Sequence, residues 1–214
     1  MAAEFGDVYF DTRRQLRGVA ESLIAGPQYR ASGTVRLAVR PDGFTGVTLP
    51  LAVHGTELVW RGGGAPLAGP VSLIVEAAGV DFGPPEGVYN LKDPLPSDTV
   101  LDLDVGATEW IHRSHYAGGH ALKHVLPECH PVLWPEHFDV AATEDEVNYG
   151  VSAGDDYHPT PYAYVGPWAK RSGPFWNAPF GALYPLNPAH DVDALTSRIA
   201  DFFVRGRSEL SNQP

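Results

Sequence analysis

The sequence predicts an α+β fold in which antiparallel sheets pack against an N-terminal, a central and a C-terminal helix. Three segments repeat apolar residues at intervals of three and four, which is the spacing of an amphipathic helix. Shorter segments in both halves of the chain alternate apolar and polar residues between turn residues, as half-buried strands do. We therefore expect residues 1–214 to form one loop-rich domain, with residues 80–104 as its weakest point of division.

The first helix is predicted over residues 4–25, and Gly26 followed by Pro27 predicts its end. Its apolar positions are Phe5, Val8, Tyr9, Leu16, Val19, Ala20, Leu23 and Ile24. Its charged positions, which we expect to be solvated, are Arg13, Arg14, Arg17 and Glu21.

A three-stranded antiparallel meander is predicted next, covered by the first helix. The strands are residues 33–40, 47–54 and 57–61, with a turn at 41–43. The apolar segment at residues 71–78 could be a buried strand or a short helix, and Pro70 at a first-turn position favours the helix. Residues 80–104 are rich in proline and glycine, and loops of this length in compact domains are often functional.

The central helix is predicted from Asp104, a suitable N-cap, to residue 126, before Pro127. Its inward stripe is Ile111, His115, Leu122 and Leu126, with His112 at the border. Its outward side is Glu109, His120 and His124. Gly118 and Gly119 within this helix indicate either a close backbone contact or a break.

Strands are expected at residues 136–143, 147–152, 161–166 and 181–184. An amphipathic helix over residues 191–205 ends the chain, and Gly206 is its predicted stop. Residues 133–168 concentrate titratable and aromatic side chains in a segment broken by proline and glycine. Such irregular segments commonly carry function, so the candidate site is sought there.

Composition disfavours several classes of partner. A net charge of −11 with scattered lysine and arginine disfavours binding to nucleic acid or to anionic membranes. Cys129 is the single cysteine, so there is no internal disulfide, and a reducing compartment fits. No signal-peptide pattern or membrane-spanning apolar run is visible, which predicts a cytoplasmic protein.

His137 and Asp139 form the first candidate constellation. Alternation along a strand places both on one face, where an imidazole and a carboxylate can act as an oriented acid/base pair. His115 and Tyr149 are expected nearby as further catalytic groups. The alternative is a structural histidine that is hydrogen-bonded to the aspartate.

A divalent metal, zinc or iron(II), is the second hypothesis. His115 and His112 lie three apart on the central helix and could meet His137 and Asp139. Two or three histidines with one carboxylate and an open position suit either metal. Solvated histidines are the alternative.

Aromatic residues supply the third constellation. Trp134, Tyr162, Tyr164 and Trp168 could line a pocket for a small apolar or ring-bearing ligand, and the alternative is an aromatic core. Asp155, Asp156 and His158 come after a glycine in a pattern typical of a hydrogen-bonded turn.

Three segments carry a resemblance to a known family. They are Trp134-Pro135-Glu136-His137-Phe138-Asp139, then Asn148-Tyr149-Gly150-Val151-Ser152-Ala153-Gly154-Asp155, then Pro161-Tyr162-Ala163-Tyr164-Val165-Gly166-Pro167-Trp168. They resemble the signature W-P-x-H-F-D, N-[YF]-G-x-S-x-G-D, P-Y-x-Y-V of an uncharacterised family of actinobacterial proteins. The resemblance implies kinship and an actinobacterial type of source, and no reaction.

Two functions are indicated as hypotheses. The first is an enzyme of small-molecule metabolism, in specialised metabolism for example, that uses His/Asp acid-base chemistry with or without a divalent metal; a lyase, isomerase, cyclase or hydrolase fits. The second is a non-catalytic small-molecule binding protein with an aromatic-lined pocket. A structural or regulatory partner protein is a third.

Overall fold

The computed structural model describes residues 6–91 and 94–211, and it confirms the α+β class. The helices are α1 (Gly6–Val19), α2 (Gly26–Ser32), α3 (Val71–Ala78), α4 (Val105–Val125) and α5 (Val192–Ser211), with a π-helical segment (Ala20–Ala25) joining α1 to α2. The strands are β1 (Leu37–Arg40), β2 (Gly43–Gly46), β3 (Leu51–His54), β4 (Glu57–Trp60), β5 (Gly63–Pro66), β6 (Ala68–Pro70), β7 (Val100–Asp102), β8 (Val132–Trp134), β9 (Asp139–Glu144), β10 (Val147–Ser152), β11 (Tyr162–Pro167) and β12 (Ala182–Pro185). None of the helices in these two ranges is long and apolar enough to cross a membrane.

Contacts divide the described chain into two compact units. The first unit contains the described residues up to His112 together with Leu133–Phe138. The second unit contains Arg113–Val132 and the described residues from Asp139 onward. The boundary falls within α4 and not in the loop at residues 80–104, and a single domain for the whole chain stays a prediction.

In the first unit, the N-terminal helix runs further than predicted. Its predicted positions 4 and 5 lie outside the described residues, and so do residues 92 and 93 of the predicted loop. The predicted end at Gly26 and Pro27 is wrong, because α2 continues to Ser32 and stops at Gly33, whose φ is 75°. Gly26 serves packing instead: a Cβ there would lie 1.8 Å from the carbonyl oxygen of Gly83.

The sheet of the first unit has more strands than the predicted meander. Strands β1 to β5 pair in succession, antiparallel, and β8 pairs with β1 through Leu133 and Leu37. Strands β2 and β5 were not predicted because their glycines hide the alternation. At Gly43 the missing side chain allows a close approach, since a Cβ would lie 1.9 Å from the carbonyl oxygen of Val53. Strands β6 and β7 form a separate pair, and the predicted helix after Pro70 is confirmed as α3.

In the second unit, an antiparallel sheet in the order β12-β11-β10-β9 packs one face against α4 and α5. Gly118 of α4 sits so close to Val151 that a Cβ would lie 2.7 Å away, which confirms the predicted backbone contact. The predicted stop at Gly206 is wrong, because α5 runs on to Ser211. Gly206 faces Val165, and a Cβ would lie 2.8 Å from that side chain.

The division of histidines on α4 is confirmed. His112 and His115 are buried, at 2% and 1% exposure, whereas His120 and His124 are exposed. The predicted cap is also present, since Asp104 Oδ1 accepts a hydrogen bond from the backbone N–H of Ala107 at 2.7 Å. The periodic pattern therefore predicted correctly which of these side chains are buried and which are exposed.

Candidate functional site

The second unit carries polar and aromatic side chains on the sheet face turned away from α4 and α5, and Asp139, Ser152 and Tyr162 on this face are each at most 5% exposed. Because side chains alternate along a strand, these residues lie on one side of the sheet, which we call the polar face. Its members are Asp139, Ala141 and Thr143 on β9, Asn148, Gly150 and Ser152 on β10, and Tyr162, Tyr164 and Gly166 on β11. Ser152 pairs with Asp139 on one side and with Tyr162 on the other, so these three residues lie in one row across the sheet.

Tyr164 and Asp139 form the central contact of the polar face. The Tyr164 hydroxyl donates a hydrogen bond to Oδ2 of Asp139, a carboxylate that is only 5% exposed. Gly150 makes this possible because it lies between their strands without a side chain. A Cβ at Gly150 would lie 2.6 Å from both Cζ and the hydroxyl oxygen of Tyr164. Burial, and after it the carboxylate of Asp139, hold the pKa of Tyr164 well above its usual value, so its phenol is a donor at neutral pH.

Tyr162 and Asp155 form a second pair of the same type. The Tyr162 hydroxyl donates to Oδ2 of Asp155 at 2.6 Å, and Oδ1 accepts the backbone N–H groups of Tyr157 at 2.8 Å and His158 at 2.9 Å. Burial first, and then Asp155, raise the pKa of Tyr162. The predicted turn at these aspartates is confirmed, and it also anchors a tyrosine of the site.

Aromatic rings surround these two pairs. The rings of Tyr162, Tyr164 and Phe180 lie within 6.2 to 6.4 Å of one another, measured between centroids. Tyr157 packs edge-on against Phe180 at 5.4 Å. Sequence reasoning missed Phe180, which comes directly after Pro179 in an irregular segment where no periodicity marks it.

Trp168 marks the exposed edge of the polar face. Its residue is 66% exposed, and Tyr157 is 52% exposed. The indole N–H of Trp168 donates to Oδ1 of Asn148 at 3.5 Å, and Asn148 Oδ1 also accepts from the hydroxyl of Thr143 at 2.8 Å. These bonds orient an aromatic ring that solvent can reach.

The predicted shared face of His137 and Asp139 is wrong. Strand β9 begins at Asp139, and His137 lies in the turn between β8 and β9. Phe138, between them, has a φ of 50°, so strand alternation does not pass through it. His137 belongs to the first unit, where its Nε2 lies 3.1 Å from Oε1 of Glu136 and its side chain is 65% exposed.

The other predicted catalytic and metal-binding residues lie in separate environments. Tyr149 is on the core face of the second unit, packed on Phe203 at 5.7 Å, and burial raises its pKa to about 12. His115 is buried within α4. His112, in the first unit, donates from Nε2 to the carbonyl oxygen of Gly55 at 3.2 Å, and burial lowers its pKa to about 4.

The predicted metal set has no structural counterpart within the described ranges. No group of three or more His, Cys, Asp or Glu side chains among residues 6–91 and 94–211 is placed to hold a metal ion. The assigned catalytic roles of His137, Asp139, His115 and Tyr149 stay predictions. Of the predicted aromatic set, Trp134 lies in the first unit beneath the guanidinium of Arg36, 5.8 Å from the ring, while Tyr162, Tyr164 and Trp168 belong to the second unit.

A buried ionisable cluster in the first unit was also missed; we call Arg17, Glu21 and Tyr89 the Arg17 cluster. The predicted solvated face is wrong for Glu21, which is fully buried, and for Arg13, which is 8% exposed. Arg13, Arg17 and Glu21 follow one another at intervals of four residues, so they share one stripe of the helix, and this stripe is largely buried although its residues are charged. The available signal was the position of Glu21 inside an otherwise apolar run.

No protein-family model matches the chain, and no curated protein or solved structure is similar to it at a significant level. Kinship with the actinobacterial family stays a prediction.

Proposed function

We propose that the chain binds a small, ring-bearing organic molecule on the polar face of the second unit. The observation that carries this proposal is the contact among the rings of Tyr162, Tyr164 and Phe180 beside the buried carboxylate of Asp139. Ring faces offer apolar area to a ligand ring, and a few fixed polar groups orient it. The paired hydroxyl and carboxylate are such groups.

The exposed rings at the edge of the polar face support the same proposal. Trp168 and Tyr157 present large apolar surfaces to solvent next to hydrogen-bonding groups. Exposed aromatic surface bordered by polar residues is typical of a binding site. A ligand that covers these rings would remove apolar area from water at a favourable free energy of roughly 25 cal/mol per Å².

An enzyme is the second candidate, and the Tyr164–Asp139 hydrogen bond favours it. A protonated phenol can donate a proton to a substrate, and a carboxylate can accept one. The raised pKa of Tyr164 keeps the phenol protonated, so the two groups hold opposite roles at neutral pH. Lyase, isomerase or hydrolase chemistry would use such a pair.

The binding proposal is tested with a ligand-observed NMR screen of ring-bearing fragments, and the hits are then titrated. Tyr164→Phe and Asp139→Asn should each weaken binding of a hit by about tenfold, since each removes a group from a hydrogen-bonded pair. Tyr149→Phe is the matched control, because it also removes a tyrosine hydroxyl, but on the opposite face of the sheet. Hits whose affinity is the same in all three variants would contradict the proposal.

Catalysis is distinguished from simple binding by monitoring whether each bound fragment is converted to a product over time. If Asp139→Asn retains binding but loses conversion of a fragment, the pair acts in catalysis. Binding without conversion in the wild-type protein leaves the non-catalytic function.

A further inference from the structure

A cleft of about 290 Å³ lies in the first unit, away from the residues that the proposed function uses. Tyr29 and Arg30 of α2 line one part of it, and residues 81–84 with Glu86, from the loop after α3, line the rest. We call it the Asp81 cleft. Its volume is close to the lower limit for ligand clefts, roughly 300 Å³, so its occupant must be small.

The guanidinium of Arg30 fixes the loop wall of the Asp81 cleft. Its Nε donates to Oδ2 of Asp81 at 2.5 Å, and its Nη2 donates to the carbonyl oxygen of the same residue. Its Nη1 donates to the carbonyl oxygens of Gly83 at 3.3 Å and Pro84 at 3.2 Å. Four of the five N–H donors of Arg30 are thus used within the protein, so this side chain stabilises the wall and offers an anionic ligand little.

The charged groups that remain accessible in the lining are carboxylates. The side chain of Asp81 is 74% exposed, so a ligand can reach it although it pairs with Arg30. Glu86 is exposed, and its carboxylate makes no hydrogen bond or ion pair with the residues that the structure describes. Two carboxylates and one guanidinium give the lining a net charge of −1, within a chain of net charge −11, and this balance favours a cation.

Apolar surface lies beside these carboxylates in the Asp81 cleft. Tyr29 is 36% exposed, and Phe82 and Pro84 are half-buried. Aromatic ring faces attract cations, and they also cover the apolar part of a ligand. A bare metal ion would leave the rings unused, and no group of three metal-ligating side chains lies here or elsewhere in the described ranges. The lining therefore matches a molecule that joins a positive charge to a hydrocarbon group.

We propose that the Asp81 cleft binds a small primary amine in its protonated form. The ammonium group donates hydrogen bonds to the carboxylates of Asp81 and Glu86, and the hydrocarbon part packs on the rings of Tyr29, Phe82 and Pro84. A primary ammonium has three N–H donors and no acceptor, which suits a lining of acceptors. Because both carboxylates are exposed, we expect a dissociation constant of roughly a millimolar.

The test is an NMR titration of the full chain, labelled with ¹⁵N, with three probes of similar shape, namely phenethylammonium, 2-phenylethanol and 3-phenylpropanoate. Phenethylammonium should shift the amide signals of Phe82, Gly83 and Glu86 and the ring signals of Tyr29. The neutral alcohol should bind at least about threefold more weakly, and the anionic carboxylate should leave these signals in place. Equal binding of the alcohol, or no response of these signals to the amine, would overturn the assignment.

A fourth probe separates a free amine from a lysine side chain of another protein. Nα-acetyl-lysine methylamide carries the same ammonium group on a chain without a ring, so it should bind more weakly than phenethylammonium. Tighter binding of this probe would overturn the small-molecule assignment in favour of a protein lysine.

Variants provide the second arm of the test. Glu86→Gln should weaken binding of phenethylammonium by about two- to fivefold, because it removes one exposed charge. Tyr29→Leu should weaken it by a similar factor through loss of a ring face. Glu76→Gln is the control, because Glu76 is exposed on α3 and does not line the cleft. Unchanged affinity in Glu86→Gln overturns the proposal whatever Tyr29→Leu shows.

Binding to the polar face is followed separately through the ring signals of Tyr162 and Tyr164. These residues belong to the second unit, so their signals report on the proposed function and not on the Asp81 cleft. Either proposal can therefore fail without the other.

Discussion

The polar face of the second unit and the Arg17 cluster of the first unit each place a tyrosine hydroxyl near a buried carboxylate, but the hydrogen bonding around these groups differs. On the polar face, Tyr162 and Tyr164 each donate to an aspartate. In the Arg17 cluster, Arg17 Nη2 lies 3.7 Å from Oε1 of Glu21, and burial first, then the charge of Glu21 and a hydrogen bond to it, raise the pKa of Tyr89. A short hydrogen bond orients both side chains that form it, whereas an ion pair at 3.7 Å is longer than a hydrogen bond and restricts its side chains less.

The difference extends to titration. The resolved shifts on the polar face raise tyrosine pKa values, so these groups stay neutral over the physiological range. In the first unit, burial lowers the pKa of His112 to about 4. We therefore expect the acid sensitivity of this protein to originate in the first unit.

The largest predicted effect is a loss of stability in acid caused by His112. Its pKa is near 6.5 in the unfolded chain and about 4 in the folded protein, so the unfolded state takes up a proton first as pH falls. The stability present above pH 6.5 should decline towards pH 4 by about 3 kcal/mol, at 1.36 kcal/mol per pKa unit. Urea denaturation at a series of pH values measures this.

Two substitutions sharpen the assignment to His112. In His112→Gln the slope between pH 6.5 and 4 should flatten, whereas in His124→Gln, which changes an exposed histidine of the same helix, it should not. The same slope in His112→Gln as in the wild type would place the acid-sensitive group elsewhere.

Gly150→Ala should have the next largest effect, because its Cβ would overlap the ring of Tyr164. We expect a destabilisation of roughly 1 to 3 kcal/mol, typical of overpacking, together with loss of the hydrogen bond to Asp139. Gly166→Ala on the same face is the control, since its Cβ would meet its nearest atom at an ordinary 3.5 Å. Equal free energies of unfolding for the two variants would show that the Tyr164 ring does not pass directly above Gly150.

Tyr162→Phe should lower the free energy of unfolding by less, roughly 1 kcal/mol, because it removes one hydrogen bond to the carboxylate of Asp155. Tyr157→Phe, at an exposed ring, should be nearly neutral. Chemical denaturation compares the two. If Tyr157→Phe costs as much as Tyr162→Phe, the pairing with Asp155 does not stabilise the polar face.

His137→Ala should have the smallest effect, within about 0.5 kcal/mol on stability, because its exposed contact with Glu136 is weak in water. Binding of fragments to the polar face should not change. Titration of the screening hits against this variant measures that binding, and a clear loss of affinity would show that His137 belongs to the binding site.

The sequence predicted those elements whose pattern is local and periodic. The stripe of α4, its cap at Asp104 and the burial of His112 and His115 result from a spacing of 3.6 residues per turn. The common face of Tyr162 and Tyr164 results from strand alternation in the same way. Local patterns therefore sufficed where one element decides the position of its side chains.

The remaining features depend on backbone geometry that residue patterns do not encode. Phe138 adopts a positive φ, which is uncommon for a side chain of its size, and this removed His137 from the strand. The bond from Tyr164 to Asp139 depends on a glycine on the strand between them, which is a contact across 25 positions of the chain. The helix stripe of Arg13, Arg17 and Glu21 is largely buried, which the charge of these residues does not predict.

The central claim is that a ligand binds at Tyr162 and Tyr164 on the polar face. It is tested most directly by titrating protein labelled with ¹³C at the tyrosine Cζ atoms with the strongest hit of the fragment screen. If the ligand binds there, the Tyr162 and Tyr164 signals shift with a common dissociation constant, while the signal of Tyr149, on the core face, stays in place. Unchanged Tyr162 and Tyr164 signals at saturating fragment would contradict it.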